Sequence, residues 1–489
     1  MLDLDSSSIS PTDEADDVRD ALRSRVHDAL TARTNGTPRV VRVQVALPCA
    51  VDPLAWLRAQ GDGAAAYWSA RNDDAAVATV GAAEVVASGD RPLDNEQLRR
   101  RLGRRLRQTE APVRYYGGLR FDATYPRAEN GMEAPWTAFG TYRFVLPRFE
   151  LHAQEAGTAL VCNLVLPRDA GRAEALAEQI RNLAFPTEAG ASVEPALPAP
   201  HGRTDVPDRQ GWTHMVRWAL RAINDRSLDK VVLARRVALD LGMALDPFLV
   251  LQHLQRATPR CFHFAVRPAG ESATFIGASP ERLFRREGTQ VKSEAVAGTR
   301  PRGDTPEADA ALRDELLESP KERREHAFVQ EAIRERLETL CTTVDAPETP
   351  SDLALARGRH LHAPLTGALR PETTTLDLLE TLHPTPAVGG VPTDEALAAI
   401  RAQEPFDRGW YAGPVGWIGA DAAEFAVAIR SGLVQASRLA LFSGAGIVDG
   451  SVPEQEWDEI EQKIGDFASV LGLKGHAGNG RESNSTTHS

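Results

Sequence analysis

The sequence predicts a mixed α/β fold, because stretches with strand and helix patterns alternate along most of its 489 residues. Short runs rich in β-branched residues, as in RVVRVQVAL and KVVLARRVAL, are typical of strands. Apolar residues at helical spacing occur instead in GWTHMVRWALRAINDRSL. At roughly 150 residues per domain, the length is compatible with about three units or with one large α/β body.

The composition excludes several classes of protein. The chain has 56 Lys+Arg and 68 Asp+Glu, a net charge of −12, which argues against a nucleic-acid binder and against electrostatic attachment to anionic membranes. No apolar run approaches the length of a membrane span, and the acidic start MLDLDSSSISPTDEADD lacks the apolar core of a secretory signal. The four cysteines lack the spacing of a zinc site, so we expect unpaired thiols and a cytoplasmic protein.

Residues 18–200 show mostly strand patterns broken by glycines. These patterns occur in RVVRVQVAL, AAVATV, YYGGLRFD, GTYRFVLPRFEL and TALVCNLVL, and a helical pattern follows in EALAEQIRNLAF. The proline-rich segment 186–208 then separates this part from the region 205–472. Because the two ends, residues 1–17 and 473–489, are polar and rich in Ser, Asp, Gly and Asn, we expect them to be disordered tails.

After the proline-rich segment, strand patterns become dense. A helix is predicted first, followed by the buried strand of DKVVLARRVAL. CFHFAVRP and ATFIGASPERLFRREGTQVKSEAV predict a sheet meander with turns at Gly277 and Gly288. Glycine-rich strands are predicted later in GWYAGPVGWIGA, EFAVAIRSGLV and RLALFSGAGIV.

Two helices are predicted after Asp304, and the second has a clear start. Ser319 is placed to cap it, with Pro320 at the first helical position and Glu322 three residues after the serine, which is a capping box. The sequence SVPE, beginning at Ser451, has the same arrangement. We therefore expect the last helix to start there.

Glu325 is a carboxylate on the predicted apolar face of the helix 320–340. It precedes Val329 by one helical turn and so points along the apolar stripe. A buried carboxylate needs a cation, a metal or hydrogen-bond donors. The alternative is an edge residue that pairs with Arg324 or another arginine.

Two more carboxylates lie on the predicted terminal helix 453–471. Glu456, Glu459 and Lys463 form a line beside its apolar stripe. Two carboxylates one turn apart could bind a hard cation such as Mg²⁺. The alternative is an ordinary exposed Glu–Lys pair that contributes little stability.

Cationic and backbone groups could bind anions near these acids. Lys230 stands at the head of a buried strand, where desolvation would favour its neutral form, although such a lysine can also extend to the rim. The glycine turns at 295–300 and 443–448 could bind an anion through backbone N–H groups. Arg430 could hold a carboxylate or form a surface salt bridge. Together these features predict a pocket for a small polyanion.

The region 205–472 resembles the chorismate-utilising enzymes, a family that includes anthranilate synthase component I and isochorismate synthase. The resemblance rests on many strings in order: DKVVLARR, FIGASPERLF, AVAGTRPRG, LLESPKERREHAFVQEAI, LHPTPAVGG, RGWYAGPVGW, FAVAIRS, FSGAGIV and SVPEQEWDEIEQK. Residues 18–200 match more loosely, through YYGGLRFD and RFVLPRFEL, to menaquinone-type isochorismate synthases. The resemblance implies a single large domain of the anthranilate synthase component I type, with packed β-sheets wrapped by helices.

The resemblance also implies roles for individual residues. Glu325 and Glu459 resemble Mg²⁺ ligands, with Glu456 close by through water. Lys230 resembles the base that activates water for attack at C2 of chorismate, and Glu281 the acid that protonates the departing C4 hydroxyl. Residues that match substrate-binding positions are Gly298, Thr299, His360, Ala387, Tyr411, Arg430, Gly444, Gly446 and Lys463.

Two positions distinguish members of this family by their nucleophile. Ammonia-using members typically have glutamine where Lys230 stands, and aminodeoxychorismate synthases have a nucleophilic lysine where Ala297 stands. Ala387 also fits the isochorismate type. These residues favour water addition, which leaves isochorismate synthase or a salicylate synthase that also eliminates pyruvate; the loose N-terminal match favours the former.

The expected protein is therefore a Mg²⁺-dependent isomerase that acts on chorismate, as a monomer or homodimer without a glutamine amidotransferase subunit. The loose N-terminal match favours menaquinone biosynthesis. Salicylate synthase and a siderophore-pathway isochorismate synthase are the enzymatic alternatives, and a non-catalytic chorismate-binding subunit is a third.

Overall fold

The computed structural model describes residues 11–32, 38–71, 75–88, 95–107, 109, 112–122, 136–186, 197–356 and 358–469. The helices within this part of the chain are α1 (Pro11–Thr31), α2 (Pro53–Ala59), α3 (Asn95–Arg107), α4 (Ala173–Arg181), α5 (Arg209–Asn224), α6 (Pro247–Ala257), α7 (Pro306–Glu318), α8 (Pro320–Leu340), α9 (Thr375–Leu382), α10 (Thr393–Gln403) and α11 (Pro453–Ala468).

The strands of the N-terminal half are β1 (Arg39–Ala46), β2 (Ala65–Ser69), β3 (Ala76–Ala87), β4 (Tyr115–Leu119), β5 (Tyr142–Gln154) and β6 (Gly157–Leu166). Those that follow are β7 (Gly202–Val206), β8 (Lys230–Asp240), β9 (Phe262–Arg267), β10 (Ala273–Ser279), β11 (Arg282–Glu287), β12 (Gln290–Pro301), β13 (Cys341–Asp345), β14 (Ser351–Ala354), β15 (Gly358–Leu369), β16 (Gly390–Val391), β17 (Pro414–Ile418), β18 (Ala422–Val427), β19 (Ser431–Gln435) and β20 (Arg438–Ile447).

These strands form two arms of one hydrogen-bonded sheet that meet at β5. The first arm runs β1, β6, β5, β3, β2, β9, β10, β19, β20 and β8, with β7 and β16 on the far edge of β8. The second arm runs from β5 through β4, β17, β18, β11, β12 and β15, with β13 and β14 on the far edge of β15. Each of these ladders is antiparallel, so the predicted fold class is confirmed in its α+β form.

The two parts of the chain predicted from composition share this sheet. Strand β2 pairs with β9, and β4 pairs with β17, so strands from before the proline-rich segment lie between strands that follow it. Shared ladders of this kind join the N-terminal and C-terminal parts in one large domain.

Apolar side chains from both arms fill the interior, and helices cover the sheet. Trp136 contacts Phe275 of β10 and Phe442 of β20, with ring centroids 5.5 and 5.8 Å apart. Helix α8 packs against β12 and β15, and α11 packs against β20 and α5. Helices α8 and α11 thereby approach the same region from opposite arms. Among the described residues, no helix is long and apolar enough to cross a membrane.

Two local predictions are wrong for identifiable reasons. Gly277 is not at a turn but inside β10, where a Cβ atom would lie 2.3 Å from the Phe264 ring, so glycine is needed for close packing. Ser451 does not cap α11, because its Oγ accepts a hydrogen bond from the Val448 N–H instead and the cap position is Val452. The turn at Gly288 is confirmed by its positive φ of 58°.

The predicted start of α8 is correct in its main feature. The Ser319 Oγ accepts a hydrogen bond from the Glu322 N–H, and Pro320 is the first helical residue. The Glu322 side chain, however, pairs with Arg300. At the N-terminus, helix α1 begins at Pro11, so the predicted tail 1–17 is helical from that residue onward. The tail predicted at 473–489 lies outside the described residues.

Candidate active site

A cavity of about 440 Å³ opens where the two arms of the sheet meet α8 and α11. It is lined by every residue to which the sequence analysis assigned a catalytic, substrate-binding or metal-binding role. Their distribution over the elements explains the convergence. Lys230 begins β8, Gly444 and Gly446 lie on β20, Gly298 and Thr299 on β12, and His360 on β15. Glu325 lies on α8, whereas Glu456, Glu459 and Lys463 lie on α11.

Lys230 lies on the floor of the cavity and is paired with Glu325. Its Nζ donates to the Glu325 Oε1 across 2.8 Å, and the lysine side chain is only 1% exposed. The two alternatives considered for these residues, a lysine at the rim and a glutamate paired with Arg324, are therefore wrong. A Cβ at Gly446 would lie 2.9 Å from the Glu325 Oε1 and 3.0 Å from the Lys230 Cε, so a glycine there leaves room for the pair.

Glu281 lies where the chain crosses from one arm of the sheet to the other. Strand β10 ends at Ser279 in the first arm and β11 begins at Arg282 in the second, so Glu281 is on the connection. Its backbone is fixed, since its N–H donates to the Ser279 Oγ and its carbonyl accepts from the Val427 N–H. Burial, together with the negative charge of Glu294, raises the Glu281 pKa to about 8. The Glu281 carboxyl is consequently protonated at neutral pH.

One wall of the cavity is built around His360. Its Nδ1 donates to the Gly298 carbonyl at 2.9 Å, and its Nε2 accepts from the Arg430 Nη2 at 3.1 Å. Burial and the charge of Arg430 lower the His360 pKa to about 3, so the ring is neutral and has the tautomer that these hydrogen bonds require. Arg430 has a positive φ of 49°, and its guanidinium donates to His360; within the described part of the chain it forms no salt bridge, which was its alternative role. A guanidinium is thereby presented to the cavity.

Helix α11 presents two carboxylates and a lysine to the cavity. The Lys463 Nζ lies 2.8 Å from the Glu459 Oε1 and also donates to the Gly444 carbonyl at 3.1 Å. The predicted Glu–Lys pair thus forms, but it faces the cavity. The positive charge of Lys463 lowers the Glu459 pKa. Burial and the neighbouring charge of Glu459 raise the Glu456 pKa to about 7, although Lys321, 3.9 Å away, acts in the opposite direction.

The carboxylates of Glu325, Glu456 and Glu459 are suitable ligands for a hard divalent cation. Glu456 is buried beside Glu459 and Glu325 and is poorly compensated by Lys321, as expected of carboxylates that gain from a cation. In the arrangement described here, Glu325 and Glu459 are each held by a lysine, and no group of three or more His, Cys, Asp or Glu among the described residues forms a metal site. Both lysine pairs would have to open for the carboxylates to share an ion.

Tyr411 and Ala387 also line the cavity. The Tyr411 ring stacks on Phe442 of β20 with centroids 5.4 Å apart, which fixes the tyrosine against the first arm. Its hydroxyl would lie 3.1 Å from a Cβ at Gly444, so glycine keeps this part of the cavity open. Burial raises the Tyr411 pKa, and the phenol remains a neutral hydrogen-bond donor. Ala387 lies on the connection between α9 and β16.

Sequence reasoning missed several charged residues at the cavity. Lys321 and Glu322 line its mouth from the first turn of α8, and the Arg300 guanidinium links the Thr299 carbonyl to the Glu322 carboxylate. Lys321 and Glu322 directly follow the predicted cap Ser319 and Pro320, and this position in the first turn of α8 could have indicated that they lie near Glu325. Glu294 of β12 does not line the cavity, but its charge acts on Glu281; it carried no such signal, because it lies inside a strand pattern.

Comparison with known proteins gives consistent matches over most of the chain. A family model described as "Chorismate binding enzyme" matches residues 25–472. "Isochorismate synthase 2, chloroplastic" of Arabidopsis thaliana is 35% identical over 463 residues, covering 88% of this chain and 80% of that protein. "Salicylate biosynthesis isochorismate synthase" of Pseudomonas aeruginosa is 36% identical over 371 residues, covering 75% of this chain and 76% of that protein.

Solved structures also match over most of the chain. The menaquinone-specific isochorismate synthase MenF from Escherichia coli superimposes with a TM-score of 0.79 at 30% identity, covering 92% of this chain and 99% of that one. Anthranilate synthase component I from Streptococcus pneumoniae has a TM-score of 0.64 at 19% identity, covering 96% and 99%. The second match establishes a shared fold.

Proposed function

The chain belongs to the chorismate-binding enzyme family, and from this premise we propose that it is an isochorismate synthase, an isomerase that converts chorismate to isochorismate. The observation that carries the proposal is the pairing of two proton-transfer groups in one cavity. Glu281 is protonated at neutral pH, and the buried Lys230 amine faces the same space. An enzyme that adds water at one carbon and expels hydroxide from another needs one base and one acid in the same cavity.

In the proposed reaction, Lys230 takes a proton from a water molecule while the water oxygen forms a bond to C2 of chorismate. The ring double bonds shift, the C4–O bond breaks, and Glu281 donates its proton to the departing hydroxyl, which leaves as water. One water enters and one leaves, so substrate and product are isomers. The proton then returns from Lys230 to Glu281 through solvent, which restores the starting state.

The remaining residues of the cavity bind and orient the substrate in this proposal. Chorismate carries two carboxylates, and Arg430 and Lys463 offer them a guanidinium and an ammonium. Tyr411 can donate a hydrogen bond, and the neutral His360 lies beside Gly298 and Thr299 of β12, where the departing hydroxyl is expected. Gly444, Gly446 and Ala387 leave the space that a ring requires.

We further propose that Glu325 and Glu459 bind Mg²⁺, with Glu456 next to it. The support is the repulsion that Glu459 and Glu325 exert on the buried Glu456, whose partner cation Lys321 stays 3.9 Å away. The ion would neutralise the ring carboxylate of chorismate and thereby assist loss of the C4 hydroxyl. Opening of the Lys230–Glu325 pair would also free the amine, which must be uncharged to accept a proton.

Identification of the product tests the proposal directly. Purified protein, chorismate and Mg²⁺ should yield isochorismate, observed by chromatography and NMR, with no release of pyruvate. Accumulation of salicylate and pyruvate would instead establish a salicylate synthase. Absence of any turnover, combined with binding of chorismate, would establish a non-catalytic binding protein.

We propose menaquinone biosynthesis as the pathway, with the long match to the E. coli MenF structure as support. The P. aeruginosa relative named for salicylate biosynthesis is of similar identity, and salicylate or siderophore supply is the alternative. Lys230 stands where ammonia-using relatives have glutamine, which supports action without a glutamine amidotransferase subunit. We propose that the protein acts as a monomer or homodimer. Unpaired cysteines support a cytoplasmic location.

A further inference from the structure

A buried ion pair holds the backbone on both sides of Glu281. Arg71, which follows β2 in the N-terminal half of the chain, donates to the Pro280 carbonyl just before Glu281. On the other side, the Arg282 N–H donates to the Glu294 Oε1 at 2.7 Å. Arg71 and Glu294 are joined to each other by a salt bridge of 2.5 Å, and their side chains are only 6% and 3% exposed.

We propose that Arg71 and Glu294 are positioning residues for the proton donor, in that they hold the Glu281 carboxyl in place and set its charge. This inference rests on the proposed function, since it assigns the two residues to the same reaction. It also gives the N-terminal half of the chain a part in the chemistry, because Arg71 lies 223 residues before its carboxylate partner.

The charges around Glu281 explain how the pair would act. The charged groups that influence it are Glu294 on β12, Lys230 on β8 and Arg71 after β2. Burial alone would raise the Glu294 pKa, but hydrogen bonds from His362 and Arg71 lower it to about 2. Glu294 is therefore ionised throughout the neutral range and disfavours ionisation of Glu281, whereas the two cations favour it.

The charge effect is tested by Glu294→Gln, which keeps the shape of the side chain and removes its charge. Loss of the nearby anion should lower the Glu281 pKa by about one unit. Because Glu281 acts in its protonated form, the alkaline limb of the kcat/KM profile, which reports the free enzyme, should move to lower pH by the same amount. An unmoved limb in a folded variant would overturn the charge assignment.

The positioning effect is tested by Arg71→Lys, which keeps the positive charge but cannot bridge a carbonyl and a carboxylate in the same way. We expect kcat to fall about tenfold with the pH limb unmoved. Arg148→Lys is a matched control, because Arg148 is equally buried in the N-terminal half and also bridges a carbonyl, that of Asn163, and a carboxylate, that of Asp169. An equal loss of kcat in Arg71→Lys and Arg148→Lys would show that Arg71 has only a structural role and would contradict the proposal.

A replacement variant and a wild-type product measurement complete the tests. If Glu294→Gln does not fold, Arg71→Gln replaces it, and loss of the cation should then move the limb to higher pH; an unmoved limb would refute the proposal. The wild-type product is measured in parallel. Failure to make isochorismate would contradict the proposed function itself, whereas normal wild-type turnover with unaltered variants would contradict only the roles of Arg71 and Glu294.

Discussion

The Nζ of Lys230 lies 2.8 Å from the Oε1 of Glu325, in a cavity where these two residues were assigned different tasks. One is the proposed base and the other a proposed magnesium ligand. As paired here, each satisfies the charge of the other, because a buried ammonium and a carboxylate are both costly to leave alone. We therefore interpret the pair as a resting arrangement that metal and substrate would rearrange.

Replacement of Lys230 tests the base. Lys230→Gln should lower kcat by a factor of about 100 or more, since no amine is left to take the proton from water. Binding of chorismate, measured by calorimetry, should persist. Lys292→Gln, an exposed lysine on β12, is the control. Full hydration activity in Lys230→Gln would assign the base to another group.

Replacement of Glu459 tests the metal site. Glu459→Gln should abolish turnover and weaken Mg²⁺ binding in a titration without substrate, because an amide oxygen carries no charge for the ion. Glu454→Gln, on the first turn of the same helix and exposed, should bind Mg²⁺ as the wild type does. Unchanged Mg²⁺ binding by the Glu459 variant would remove this residue from the proposed ligands.

The pH dependence of kcat/KM, which reports the pKa values of the free enzyme, tests the acid. Glu281 has a pKa raised to about 8 by burial and by Glu294, and it donates its proton only in the neutral form. Activity should consequently be retained below this pKa and be lost as the pH rises through about 8. In Glu281→Gln, kcat/KM should be low at every pH with no alkaline limb. A wild-type profile that remains flat to pH 10 would contradict the assignment.

Gly446 should tolerate no side chain. In Gly446→Ala, the new methyl group would meet both Glu325 and Lys230, so we expect a large loss of kcat. Gly465→Ala on α11 is a useful comparison, because nothing lies within 4 Å of its added Cβ, and alanine should stabilise the helix by about 0.5–1 kcal/mol. Thermal unfolding and kcat measured together separate the two effects. Wild-type kcat in Gly446→Ala would show that the pair can shift without consequence.

Much of the site could be predicted from the sequence because part of it is local. Spacing on one helix brings Glu456, Glu459 and Lys463 to one face, and the structure places all three in the cavity. The cap at Ser319 correctly fixed the start of α8 and hence the direction of Glu325. The two wrong local predictions also have local causes. The Ser451 hydroxyl accepts a hydrogen bond from the Val448 N–H instead of capping the helix, and Gly277 is required for close packing inside a strand, not for a turn.

The sequence by itself determined which chemical groups are available and which of them share a helix or strand, because those neighbours follow from the period of the backbone. It could not determine which elements meet. Lys230 reaches Glu325 across 95 residues and Arg71 reaches Glu294 across 223, through contacts made only when both arms of the sheet and α8 pack together. That same packing buries the Glu281 side chain against the cavity. The proton affinity of the proposed acid is therefore a property of the tertiary structure, since burial and a charge from a distant strand produce it.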